Sequence, residues 1–170
     1  MKTSNNHFFY PLLLAFLMIS FSMLTCEIAE SEQGAKNFKT KILIATQKSQ
    51  FKKAVVSEVS KSLEKEGYVV KVINLKELSS VAVYDYQAII IVNTCWVWQI
   101  NSHAKKFLKK LSKNEKKKII LFTTAKNENW EPKIAGVDAV TSASRINKAN
   151  VISKAIMEKL QILLASKKEK

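Results

Sequence analysis

Arginine is almost missing from this chain. Of 28 basic residues in 170, only Arg145 is an arginine, and the rest are lysine. Base-specific reading of DNA leans on the planar, bidentate arginine fork, so no specific nucleic acid partner is expected. Cysteine is also scarce. Cys26 closes an apolar N-terminal stretch and Cys95 stands alone in the body of the chain. That count excludes a disulfide framework. The two histidines, His7 and His103, are far apart, so no His/Cys metal constellation can be assembled from spacing. No Ser/His/Asp or paired-carboxylate arrangement points to a hydrolase. Glycine is limited to Gly34, Gly67 and Gly136, which bears on the loops considered below.

Lysine is what the chain has in excess. The formal net charge is +14 and the apolar share is 47%. The apolar content is ordinary for a globular domain with a real core. The lysine coat fits a solvated surface, or attraction to anionic lipid headgroups or other polyanions.

Residues 1–26 read as a leader. Lys2 gives a short positive start and Phe8 to Leu24 is almost wholly apolar, the order of a secretory signal. Cys26 then ends the run, and Glu27 to Gln33 is acidic and polar. This resembles a bacterial lipoprotein signal, in which Cys26 would be the lipidated residue. Met23-Leu24-Thr25-Cys26 departs from the usual pattern, because the leucine is one place late and Thr25 is larger than usual. An uncleaved membrane anchor and a soluble exported protein remain the alternatives. The expected localisation is exported, membrane-anchored through the N-terminal segment, or periplasmic. Residues 27–40 read as a polar linker and 167–170 as a basic tail.

Residues 41–166 alternate strand and helix. Lys41 to Thr46, Tyr68 to Asn74, Gln87 to Asn93 and Lys117 to Thr124 are short runs rich in β-branched residues, and Val137 to Thr141 is a fifth candidate strand. Phe51 to Glu66 carries apolar residues at 51, 55, 56, 59 and 63, with Gly67 as its stop. Ser102 to Leu111 has Ala104, Phe107, Leu108 and Leu111 inward. Asn150 to Ala165 is expected to turn Val151, Ile152, Ala155, Ile156, Leu160, Leu163 and Leu164 to the core. Short connections between such elements imply a parallel sheet with right-handed crossovers. Ligands of such sheets sit beyond the strands' carboxyl ends, which directs attention to loops 45–51, 94–101 and 125–136.

These loops carry a resemblance to the flavodoxin family that covers about residues 41 to 165. The family's first loop reads roughly Ser-x-Thr-Gly-Asn-Thr and cradles the flavin phosphate at a helix N-terminus. Here Thr46-Gln47-Lys48-Ser49-Gln50-Phe51 stands in that place. Ser49 replaces the glycine and Phe51 the closing threonine, while Lys48, Lys52 and Lys53 offer charge or a lysine-rich helix surface. The family's second loop often reads Gly-Thr-Pro-x-Trp-x-Gly. This chain has Asn93-Thr94-Cys95-Trp96-Val97-Trp98-Gln99, followed by a similar Phe107-Leu108. The third loop follows Thr123-Thr124 and holds Trp130.

The resemblance implies an α/β, flavodoxin-like three-layer sandwich with a parallel sheet of about five strands. It implies FMN as cofactor, a redox protein as partner, and a site at Thr46, Lys48, Ser49, Gln50, Thr94, Cys95, Trp96, Trp98, Thr124 and Trp130. Cys95 stands where the family has proline, and reads most simply as a small buried apolar residue. Asp138 to Ser144 is also similar to a sequence at which some exported proteins receive FMN covalently, with Ser144 in place of the acceptor threonine. The simpler reading is a strand followed by Ser and Thr caps for the last helix. The functional expectation is a membrane-associated, flavodoxin-like protein that binds FMN non-covalently for electron transfer or reduction. The alternative is a tethered, non-catalytic interaction domain that has lost the flavin.

Overall fold

The computed structural model describes residues 40–166. The leader, Cys26 and the basic tail lie outside the described residues. Five strands form one parallel sheet: β1 (Lys41–Thr46), β2 (Val69–Asn74), β3 (Ala88–Thr94), β4 (Ile119–Thr124) and β5 (Asp138–Ser142). Their order is β2-β1-β3-β4-β5. The helices are α1 (Gln50–Lys65), α2 (Ser102–Lys110), the one-turn α3 (Lys113–Lys116) and α4 (Ala149–Ala165). The region after β2 is two short 3₁₀ turns, Leu75–Ser80 and Val83–Asp85.

Alternation along the strands builds the three layers, because successive side chains leave a strand on opposite faces. Ile42, Ile44, Ile90, Val92, Ile120 and Phe122 meet α1 and α4 on one face. Leu43, Ile89, Ile91 and Leu121 meet Leu75, Leu78, Phe107 and Leu108 on the other. Both faces of β3 and β4 are covered, which is why these strands are continuous apolar runs. Phe51 and Phe122 meet edge to face, with centroids 6.2 Å apart.

Helix α1 ends as its glycine suggests. Gly67 has φ +87°, Tyr68 N–H donates to Leu63 C=O and Gly67 N–H to Glu64 C=O. This is a Schellman stop, which asks for a left-handed residue.

Helix α4 departs from expectation in two ways. It is preceded by a 3₁₀ turn at Ile146–Lys148, and its N-cap is Lys148 with no side-chain cap, so no Ser or Thr caps it. Val151 is exposed, and Ser153 and Met157 take buried positions instead. The buried stripe is Ile152, Ile156, Leu160 and Leu164 with Met157, spaced by three and four residues as a helix requires. One turn of helix, α3, was not visible as periodicity because it buries nothing. Its Ser112–Glu115 capping box holds it.

On edge strand β5, Thr141 Oγ1 is buried with no hydrogen-bond partner. A buried hydroxyl without a partner is destabilising. Thr141→Val keeps the shape and removes the orphan. It is expected to stabilise the domain by about 1 kcal/mol, read as a higher urea midpoint at unchanged slope.

Candidate functional site

The three loops at the carboxyl ends of β1, β3 and β4 lie side by side because the strands are neighbours in the order β1-β3-β4. The order also reverses between β1 and β3, the place where open α/β sheets form a crevice.

The first loop, residues 47–49, is short. Ser49 is the N-cap of α1, and its Oγ accepts from Lys52 N–H at 3.1 Å. This is the capping role small hydroxyl residues fill. The first-turn N–H groups of Gln50 and Phe51 have no partner inside the helix.

Lys52 is the unexpected member. It is 2% exposed, and its Nζ donates to Thr94 Oγ1. It is not a helix-surface lysine. Burial pulls its pKa from the ordinary 10.5 down to about 8, because removing an ammonium from water disfavours its charged form.

Thr94 is the centre of a polar network. Gln47 Nε2 donates to Thr94 Oγ1 at 2.6 Å, and Thr124 Oγ1 lies 3.2 Å from it. Asn101 Nδ2 donates to Gln47 Oε1 at 3.3 Å. Asn93, fully buried, donates to Phe122 C=O and Thr123 Oγ1, and accepts from Asn101 N–H at 3.1 Å. Asn101 also caps α2 by accepting from His103 N–H at 2.9 Å. The network thus ties the start of α2 to the ends of β1, β3 and β4.

The second loop is a tight hairpin. Trp96 and Gln99 exchange backbone hydrogen bonds of 2.8 and 3.0 Å. Between them, Val97 and Trp98 have φ of +46° and +59°. Two consecutive left-handed residues make a type I′ turn, which normally takes Asn or Gly. A β-branched residue there is strained. Trp96, Val97 and Trp98 are 79%, 72% and 67% exposed, so neither Trp96 nor Trp98 plugs the edge of the core. Val97→Asn is expected to stabilise the domain by about 1 kcal/mol, because strain of this kind costs on the order of 1–3 kcal/mol. A higher denaturant midpoint checks it.

The third loop packs Trp130 half-buried against the core beside Ile134 and Val137. Asn127 shapes it, its carbonyl accepting from Trp130 N–H and its Oδ1 from Asn129 N–H. Glu128 bonds Lys148 at 2.7 and 2.9 Å, fastening the loop to the start of α4. That bond holds the Glu128 carboxyl below its ordinary pKa.

Trp98 and Trp130 line a shared open cavity of about 740 Å³ with Lys105, Asn127 and Pro132. They also share an adjoining cavity of about 450 Å³ with Cys95 and Lys126. Cys95 is half-buried in this wall, not a fully buried core residue. Thr94 and Trp96 line a third space of about 510 Å³ with Gln47, Asn101 and Ser102. Thr46, Lys48, Ser49 and Gln50 line another, of about 630 Å³, on the β2 side of the first loop with Val72 and Asn74. The expected residues therefore fall into two groups. Thr94, Cys95, Trp96, Trp98 and Trp130 line the spaces around the hairpin, and Thr124 supports them from below. The others face β2.

Gln47, Asn93 and Asn101 were not singled out by sequence. Asn93 carried a signal, as a lone amide ending an apolar strand. No group of acidic, histidine or cysteine side chains among the described residues could hold a metal. No helix among them is long and apolar enough to cross a membrane.

No protein-family model matches the chain, and no curated protein matches it. Solved structures do. A flavodoxin from Pseudomonas aeruginosa matches with a TM-score of 0.51 at 9% identity, over 72% of this chain and 99% of that one. A flavo-di-iron protein from Thermotoga maritima gives 0.51 at 14% identity, over 74% of this chain and 36% of that one. Rubredoxin oxygen:oxidoreductase from Desulfovibrio gigas gives 0.50 at 13%, over 75% and 36%. The chain spans only 36% of the latter two. At such identities the likeness is one of fold, and the chain has a divergent flavodoxin-like fold.

Proposed function

We propose that the domain binds FMN non-covalently at the carboxyl edge of its sheet, in the service of electron transfer. One observation carries this reading: tryptophans from two different loops, Trp98 and Trp130, wall a common cavity at the carboxyl edge of the sheet, between the loops that follow β3 and β4. A planar ring is what such walls favour, since aromatic faces stack. The cavity sizes are those of small-molecule sites.

The residues present also suit an anionic end. Lys52 holds a positive charge under Thr94, and the N-terminus of α2 opens beside it at Ser102. Oriented N–H groups and a fixed charge favour a phosphate there. Ser49 in place of a loop glycine narrows the approach to the backbone, so charge and side-chain donors carry more of the recognition. In this arrangement Trp98 and Trp130 hold the ring, and Gln47, Thr94 and Ser102, backed by Lys52, face the phosphate. FMN, when bound, supplies one- or two-electron transfer at its ring. The chain's own residues bind, orient and partly shield it. The exposed Ser144 lies outside the walls of these cavities, so covalent attachment there forms no part of the proposal. Anchoring by Cys26 and a redox protein partner remain part of the proposed setting.

Adding FMN to the purified chain tests the reading. Visible flavin absorbance in the isolated protein, or saturable quenching of flavin and tryptophan emission, is the expected result. A colourless protein whose fluorescence ignores added FMN would refute it and leave a tethered interaction domain.

A further inference from the structure

The tip of the Trp96–Gln99 hairpin is a second, outward-facing feature. Three consecutive large apolar side chains stand in water there, each two-thirds or more exposed. They are held out by a strained backbone and pinned by both hairpin hydrogen bonds. Strain of this kind persists only where the surrounding structure enforces it, and it gathers at functional places.

The charges around the tip have one dominant sign. Lys105, Lys126 and Lys133 line the cavities that Trp98 borders, and Glu131 is the acidic residue among them. Lys105 Nζ also donates to Gln99 Oε1 at 3.0 Å, at the base of the hairpin. We propose that this tip docks the folded domain on an anionic lipid bilayer, with Trp96 and Val97 entering the interfacial layer and the lysines meeting the headgroups.

The shape and chemistry favour a bilayer over a protein. A stable protein interface needs roughly 800 Å² per partner. The contiguous apolar surface here is the three side chains of one tight turn. Among the described residues the other exposed large apolar side chains lie elsewhere, Val69 and Val72 on β2, Tyr84 in the second 3₁₀ turn, and Ile146, Val151 and Ile162 at or on α4. Tryptophan prefers the bilayer interface, where its ring is half apolar and half wet. Lysine adds long-range attraction that salt screens. Docking at this tip requires no bound flavin.

The test exploits the distribution of tryptophan. The three tryptophans are Trp96, Trp98 and Trp130, with none in residues 1–39, so their emission reports the crevice loops and not the leader. The full-length chain carrying Trp98→Phe and Trp130→Phe is mixed with vesicles whose acyl chains bear bromine. One set contains phosphatidylglycerol and the other only phosphatidylcholine. Trp96 emission should shift to shorter wavelength and fall by about half in the anionic vesicles, and recover as salt is raised.

Unchanged emission in anionic vesicles overturns the proposal, even if the chain sediments with them through another segment. Equal quenching in both lipids does so too. Should the double variant not fold, the wild-type chain is compared with Trp96→Ser. The wild type must then lose the larger share of its emission to brominated anionic lipid. A partner protein as the true occupant would show as absent quenching with both chains.

Discussion

Replacing Lys52 with methionine is expected to stabilise the protein by about 2 kcal/mol at neutral pH, or roughly 8 °C in Tm. The buried ammonium is the reason. Lys52 sits at the sheet edge with its pKa lowered to about 8 by burial, against an ordinary 10.5. Below pH 8 the folded protein holds the charge out of water at full cost. As pH rises from about 8 to 10.5, folded Lys52 loses its proton while the unfolded chain keeps it. The unfolded state then binds more protons, so stability rises through that window. Methionine has no such titration. The gap between variant and wild type should be widest below pH 8 and close toward pH 10.5. Thr94 Oγ1 keeps Gln47 as donor after the change, so no buried group is orphaned. A destabilised variant, or a gap that ignores pH, would show that the Thr94 bond outweighs desolvation.

A lysine kept at such a cost points to work at the site. An anionic ligand above it should draw the proton back, so FMN should bind more weakly above pH 8. Riboflavin, which lacks the phosphate, should show little of this. Lys52→Met should likewise weaken FMN and spare riboflavin.

The second large effect concerns the aromatic walls. Trp98→Ala or Trp130→Ala is expected to weaken FMN binding about tenfold to a hundredfold, because stacking on one aromatic ring is worth about 1–3 kcal/mol. The double variant should fall short of the product of the two, since both rings wall the same space. Trp130 also packs on the core, so its variant should lose stability as well. Trp98 is largely exposed, so its variant should affect binding with little change in midpoint. Fluorescence titration of FMN beside urea unfolding separates these outcomes. Unaltered affinity in both variants would place the ring elsewhere.

Several elements were legible because their signals are local. Strand β1 matches its β-branched run residue for residue. Strand β3 extends one residue further than its apolar run because Thr94 pairs with Thr124. That end effect belongs to the partner strand. The three loops of the candidate site were legible as the segments after the first, third and fourth strands, and the strand order then sets them side by side. Even Lys52 had a signal in the chain. It precedes Val55, Val56 and Val59 by three, four and seven residues, on the stripe α1 buries. Charge masked that position. The exposed hairpin had no such signal, because Val97-Trp98 lacks the residues a type I′ turn prefers.

The sequence by itself determined an α/β domain of five short strands, with crevice-bearing loops after the first, third and fourth. Periodicity and β-branching are properties of neighbouring residues, and they decide which faces must be buried. Only the tertiary structure decided that Gln47, Lys52 and Asn101 meet around Thr94, across separations of 42 to 54 residues. Only it turned Trp96 and Trp98 outward and gave Lys52 its lowered pKa. Those outcomes depend on packing, desolvation and strand register between distant segments; helical periodicity marks Lys52 as inward-facing but not what it meets there.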